Sequence, residues 1–190
     1  MLPPSQSRAL KILTHAQLET MRLYPPVVTV PKWTGASPSR IHYRGRDVVL
    51  DPGVSINLNM NGLHYSEEYW GADADTFDPA RWDARNSGSF LAQYANTPGL
   101  VAPGLEYPTV HRPVRGAYIP FSDGFRACLG KKFAQVEFVA ALAVVFRAYR
   151  VRLADESDAG RRQAERALQE SVSVVTLGMV EGVPLVFERV

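Results

Sequence analysis

Residues 131–149 carry the feature that most narrows what this chain can become. The stretch opens polar at Lys131, Lys132, Gln135 and Glu137, then runs from Phe138 to Phe146 without one polar side chain. At 3.6 residues per turn such a run is apolar on every face, which predicts a helix buried on all sides. It is well short of the roughly 20 residues that span a bilayer, so it points to a protein interior. The proline-containing start of the chain has no long apolar run either, and no targeting segment is visible in it.

The composition allows such an interior: 46% of the 190 residues are hydrophobic and 21% charged, as in an ordinary globular chain. Twenty-one basic against nineteen acidic residues leave a formal charge of +2, too slight an excess to argue for nucleic acid or an anionic membrane surface. A single cysteine excludes an intrachain disulfide, so its purpose has to be sought in other chemistry. With no internal repeat and no strong break, residues 1–190 read as a single partial domain.

Ser7 to Tyr24 predicts a helix with apolar positions at Leu10, Leu13, Ala16, Leu18 and Met21, and Pro25-Pro26 forces it to stop. The β-branched Val27-Val28-Thr29-Val30 and the stretch Ile41–Asn59 predict a small sheet, the latter as two short strands around a Gly45 turn and an Asp51-Pro52-Gly53 turn. Asp83–Tyr118, rich in Pro, Gly, Ser and Asn, predicts a long irregular connection. Beyond the apolar helix, the charged stretch Asp155–Arg166 predicts an exposed loop or surface helix, and Val172–Thr176 and Val183–Phe187 predict the two strands of a hairpin.

Cys128 stands just before the apolar helix, inside Phe121-Ser-Asp-Gly124-Phe-Arg126-Ala-Cys128-Leu-Gly130. Unpaired N–H groups and the positive end of a helix dipole favour a thiolate at such a place, and a thiolate is what a soft metal requires. Gly124 and Gly130 let the backbone approach something bulky and flat, and Arg126 offers a fork of donors suited to a carboxylate. Phe121 is placed to shield the sulfur. Taken singly, a lone cysteine near an apolar helix is more often an inert buried residue; a nucleophilic cysteine ranks lower, because no His or Asn stands in a supporting pattern.

These ten residues match the F-x-x-G-x-R-x-C-x-G signature of the cytochrome P-450 family at every fixed position. Glu19-Thr-Met-Arg22-Leu-Tyr-Pro-Pro resembles the family's E-x-x-R helix and the R-L-x-P-P that follows it. Phe77-Asp-Pro-Ala-Arg81-Trp82 resembles its F-x-P-x-R-[FW] segment, and Leu63-His64, Glu68-Tyr69-Trp70 and Asp73-Ala74 its stretch just upstream. Three motifs in the expected order identify the chain as similar to the C-terminal portion of a eukaryotic, fungal-like member, from about Leu13 to Phe187.

The resemblance implies an α+β fragment, the C-terminal part of the mainly α cytochrome P-450 fold. It implies haem b, with Cys128 as the iron's thiolate ligand, Arg126 beside a propionate, Phe121 packed on the sulfur, and Gly124 and Gly130 flanking. Glu19, Arg22 and Arg81 are implied as a buried ionic triad that locks the cysteine loop to the core. Val27, Val28, Thr29, Val30, Leu177, Gly178 and Met179 would line a pocket for a small lipophilic substrate, which molecular oxygen would oxidise.

Arg112, Arg115, Lys131 and Lys132 would face an acidic redox partner such as an NADPH-dependent reductase. Lys32 stands where many members carry an Arg or His for a propionate. Full-length members of this type sit at the endoplasmic reticulum membrane. The family's distal helix, with its acid–alcohol pair, lies upstream of the matched region. The chain by itself is therefore expected to lack competent monooxygenase activity, whether as a fragment of such an enzyme or as a haem-binding or interaction remnant.

His15, His42, His64 and His111 show no clustered spacing, so no zinc or non-haem iron site is supported, and they read as surface residues or as residues that support a site from behind. Trp33, Trp70 and Trp82 read as packing residues; without a basic-aromatic repeat, no nucleic-acid partner is implied.

Overall fold

A computed structural model of the chain describes residues 4–83, 110–111, 113–114, 116–173 and 176–190. Helix α1 spans Pro4–Leu23, with proline at its first position, where no helical N–H is needed. Leu18 and Leu23 are buried along it, and Pro25-Pro26 ends it, as the sequence predicts.

Four strands follow: β1 (Thr29–Trp33), β2 (Ser39–Tyr43), β3 (Arg46–Leu50) and β4 (Ser55–Asn59). They form two antiparallel pairs, β1 with β4 and β2 with β3. The region predicted as two strands thus holds three, because Arg44 and Gly45 both take positive φ (48° and 74°) in a two-residue hairpin turn that matches the strands' twist. The last of the three, β4, returns to pair with β1.

Two short helices, α2 (Met60–His64) and α3 (Glu67–Trp70), lead to a 3-10 turn at Pro79–Trp82. Met60 N–H donates to the Val28 carbonyl at 3.0 Å, which anchors α2 to the segment after α1. The core lies where these pieces meet: Leu18, Trp70, Ala74, Trp82 and Ala117, with Val110, Val114 and Tyr118 packed on it. Ring centroids of Trp82 and Tyr118 stand 4.7 Å apart and those of Trp70 and Trp82 5.6 Å apart, so the aromatic rings tile one contiguous cluster. Trp33, expected to pack, is instead 67% exposed on its strand.

The predicted apolar helix forms as α4, Lys131–Ala148, but none of its residues is buried. Phe133 is 72% exposed and Val144 70%. The reason is geometric: a helix that is apolar all round needs neighbours all round. Among the described residues α1 is the helix packed on it, and one neighbour covers one stripe.

The sheet after α4 also differs from expectation. The segment Tyr-Arg-Val-Arg-Leu alternates with the period of a strand and forms β5 (Tyr149–Leu153), which takes β8 (Leu185–Arg189) as its antiparallel partner. The expected hairpin between Val172–Thr176 and Val183–Phe187 is therefore replaced by two pairs, because β6 (Val172–Ser173) pairs with β7 (Leu177–Gly178). Between them the charged stretch is a surface helix, α5 (Asp158–Gln169), capped by the Ser157 side chain. Most of the long connection 83–118 lies outside the described residues. Its two ends are joined where His111 N–H donates to the Trp82 carbonyl at 2.8 Å.

Candidate functional site

Glu19 and Arg22 share one face of α1 by their three-residue spacing, and both are fully buried. The Arg22 guanidinium grips the Glu19 carboxylate with two parallel bonds, Nε to Oε2 at 2.9 Å and Nη2 to Oε1 at 2.7 Å. Its other donors go to the carbonyls of His64 (2.7 Å), Ala74 and Thr76 (3.1 Å), so all five N–H groups have acceptors.

Glu19 also accepts the Asp78 N–H at 3.1 Å and the Trp82 indole N–H at 2.9 Å. Arg81 joins it more loosely, at 3.5 Å, and closes a tighter ion pair with Asp73 at 3.0 Å. Burial works against the Glu19 carboxylate. Arg22, the Asp78 amide and Trp82 outweigh it and hold its pKa below the ordinary range. Asp73, in contact with the Arg81 guanidinium, is likewise lowered. The three residues expected to form a triad are thus brought together, with Arg81 as the outer member.

His64, fully buried, connects this core to the cysteine loop. Its Nδ1 lies 3.0 Å from the Arg22 carbonyl, and its Nε2 accepts the Ile119 N–H at 3.1 Å. Burial outweighs the bond to the Arg22 carbonyl and, with a smaller push from the Arg22 charge, lowers its pKa to about 4, so at neutral pH the ring is uncharged. The Tyr118 hydroxyl donates to the Leu18 carbonyl at 3.1 Å, and burial raises its pKa far above the phenol range.

From Ile119 the chain turns into the loop. Ser122 N–H reaches the Ile119 carbonyl and Cys128 N–H the Phe121 carbonyl, at 2.9 and 2.8 Å. A 3-10 turn over Gly124–Arg126 is capped by the Asp123 side chain. Cys128 is exposed, with Phe125 and Leu129 beside it wholly so, and Phe121 is half-buried. Gly124 has φ 79°, and a Cβ built on it would meet nothing within 4 Å; one built on Gly130 would come 3.8 Å from the Cys128 sulfur. Arg126 is exposed and makes no ion pair among the described residues. A bare sulfur, an apolar rim, a backbone free of side-chain bulk and an unengaged guanidinium together fit a flat apolar group carrying a metal and carboxylates.

The family model for Cytochrome P450 matches residues 4–174. The chain belongs to the cytochrome P450 family. It is 34% identical over 169 residues to a cytochrome P450 monooxygenase of Arthrobotrys oligospora, covering 86% of this chain and 28% of that protein. Against the monooxygenase prx9 of Penicillium rubens it is 33% identical over 175 residues, covering 90% and 28%. The crystal structure of a cytochrome P450, CYP102L1, superposes with a TM-score of 0.66 at 22% identity over 97% of this chain and 33% of that one. The P450 fold of this α+β chain follows, and the chain spans less than a third of the length of these curated relatives.

Within that P450 frame, the two segments expected at a substrate pocket meet where Leu177 N–H donates to the Pro26 carbonyl at 2.6 Å. Val27 and Met179 are exposed there, as are Thr29 and Gly178, while Val28, Val30 and Leu177 are half-buried. Of the basic residues assigned to a partner surface, Arg112 and Arg115 lie outside the described residues. Lys132 is exposed and Lys131 half-buried, beside a mainly apolar cleft of about 470 Å³ between α1 and α4. Lys32 is half-buried on β1. No helix among the described residues is long and apolar enough to cross a membrane.

Sequence reasoning missed His64 and the polar roles of Trp82 and Tyr118. His64 and His15 are buried, whereas a surface position was among the expectations for them. The partners of His64 are backbone groups 42 and 55 residues away, which no local spacing reveals. The available signal was the sequence itself: Leu63-His64 sits among residues of the family's upstream stretch.

Proposed function

We propose that this chain is the haem-thiolate portion of a cytochrome P450 monooxygenase, a single partial domain over residues 1–190 with Cys128 as the iron ligand. The observation that carries this reading is the exposed Cys128 on a glycine-flanked loop, tied by backbone bonds and the His64 side chain to the buried Glu19–Arg22 pair. Haem b, held through a thiolate, supplies the oxygen activation that inserts one oxygen atom into a C–H bond.

The chain's own residues bind, orient and shield. Cys128 donates its sulfur; Gly124 and Gly130 admit the flat ring; Arg126 pairs with a propionate; Phe121 keeps water from the sulfur. Glu19, Arg22 and Arg81 hold the loop's foundation rigid and take no part in the chemistry. Val27, Val28, Thr29 and Val30, with Leu177, Gly178 and Met179, offer an apolar margin suited to a small lipophilic substrate. Lys132 contributes to a basic margin for an acidic redox partner of the NADPH-dependent reductase kind, where complementary charge speeds encounter. Residence at the endoplasmic reticulum membrane is part of the same proposal for the full-length protein.

Titration of the purified chain with haem tests the reading. One equivalent is expected to bind the wild type with a sharp absorbance endpoint, and Cys128→Ser to bind at least about tenfold more weakly, the loss of one strong ligand. Equal affinity in both would overturn it.

A further inference from the structure

The hydrogen bonds of His64 assign its tautomer. A backbone N–H can only donate, so Nε2 must accept from Ile119; a carbonyl can only accept, so Nδ1 must donate to Arg22. The imidazole is therefore a neutral two-ended connector, and its own carbonyl receives the Arg22 guanidinium at 2.7 Å, which makes the attachment reciprocal. Nothing in the oxygen chemistry requires this residue, and the E-x-x-R and cysteine motifs do not contain it.

We propose that His64 is a positioning residue that sets the cysteine loop on the Glu19–Arg22 core through one acceptor atom, Nε2, at the Ile119 N–H. From there the route to sulfur is short: the Ile119 carbonyl holds Ser122 N–H, and the Phe121 carbonyl holds Cys128 N–H. Its functional meaning rests on the reading of Cys128 as the haem ligand; the physical tie stands apart from it. Only the neutral ring has an acceptor at Nε2, and the buried setting beside Arg22 and Tyr118 keeps it neutral.

Two substitutions separate the tie from mere packing. In His64→Asn the short amide reaches the place of Nδ1 and keeps the Arg22 bond but leaves Ile119 N–H unpaired. In His64→Gln the longer amide reaches the place of Nε2 and keeps Ile119. Amide hydrogen exchange of the haem-free chain reads both ends of the route, at Ile119 and at Cys128.

Both amides are expected to exchange about tenfold faster in His64→Asn, with α1 amides unmoved, and at near wild-type rates in His64→Gln. A Cys128 amide unchanged in His64→Asn would overturn the proposal, as would equal acceleration by both variants. If His64→Asn unfolds, His64→Gln decides alone: slow exchange at both amides supports the tie and fast exchange refutes it. Because no haem is present, a failure of haem to bind through Cys128 would defeat the proposed function and leave this result standing.

Discussion

The two halves of the motif set are built in opposite ways. The charges of Glu19 and Arg22 are fully buried, and every donor of the Arg22 guanidinium has an acceptor within the chain. Around Cys128 the side chains face outward: the sulfur is exposed, Phe125 and Leu129 are wholly so, and α4 shows Phe133 and Val144 to solvent. The first region is finished by hydrogen bonds that the chain supplies itself. The second presents apolar surface and a soft ligand, which gain only when something else covers them. Rigidity in one region is what gives the other a defined shape to offer.

The largest effect that would break this contrast belongs to the closed region. Glu19→Ala strands the Arg22 charge in the interior and is expected to cost about 3–5 kcal/mol, measured as the shift in urea unfolding. A loss under about 1 kcal/mol would mean that the core tolerates an unpaired cation and is not the foundation described here.

Acid should reach the same region next. The unfolded His64 takes up a proton near pH 6.5, whereas the folded ring does so only near pH 4, because burial resists the charge more than the bond to the Arg22 carbonyl favours it. Above pH 6.5 neither state is protonated and nothing is lost. Between pH 6.5 and about 4 only the unfolded chain binds the proton, so stability falls as pH is lowered, by on the order of 3 kcal/mol in all. Glu19, whose folded pKa is lowered, adds its own loss below the ordinary carboxylate range, as pH falls toward the folded value. His64→Gln should shrink the first window to the shares of His15 and His111, whose folded pKa values burial also lowers, and leave the second, which urea midpoints at pH 7, 5.5 and 4 would reveal.

How much of this was legible in the sequence follows the range of the interactions. The first helix was predicted as 7–24 and runs Pro4–Leu23, and the apolar helix was predicted as 131–149 and runs Lys131–Ala148, because proline stops and apolar runs are local signals. The cysteine loop was legible as a motif. The pairing of Tyr149–Leu153 with Leu185–Arg189 was not, since alternation in a five-residue segment announces a strand without naming its partner. Nor was the exposure of α4 legible in its own apolar run, which states a need for neighbours and cannot supply them; only the resemblance, which puts the family's distal helix upstream, implies apolar helix faces without partners. His64 escaped for the same reason as β8: what makes it matter lies far along the chain.

A smaller effect sharpens the comparison inside the core. Trp82→Phe keeps most of the aromatic packing and deletes the N–H that reaches Glu19, so a loss of about 1–2 kcal/mol in urea unfolding is expected. The smallest belongs to the open region. Cys128→Ser in the haem-free chain should change stability by less than about 0.5 kcal/mol, as for other exposed positions. A larger loss would show that the thiol supports the fold, contrary to the division drawn here.

That same substitution gives the most direct test of the central claim, that Cys128 offers a thiolate to haem iron from a loop held by a closed core. The measurement is the visible spectrum of the haem-loaded chain, reduced and exposed to carbon monoxide, beside Cys128→Ser. A strongly red-shifted thiolate band that disappears in the variant is the predicted result. A spectrum without that band, or one indifferent to the substitution, would contradict it.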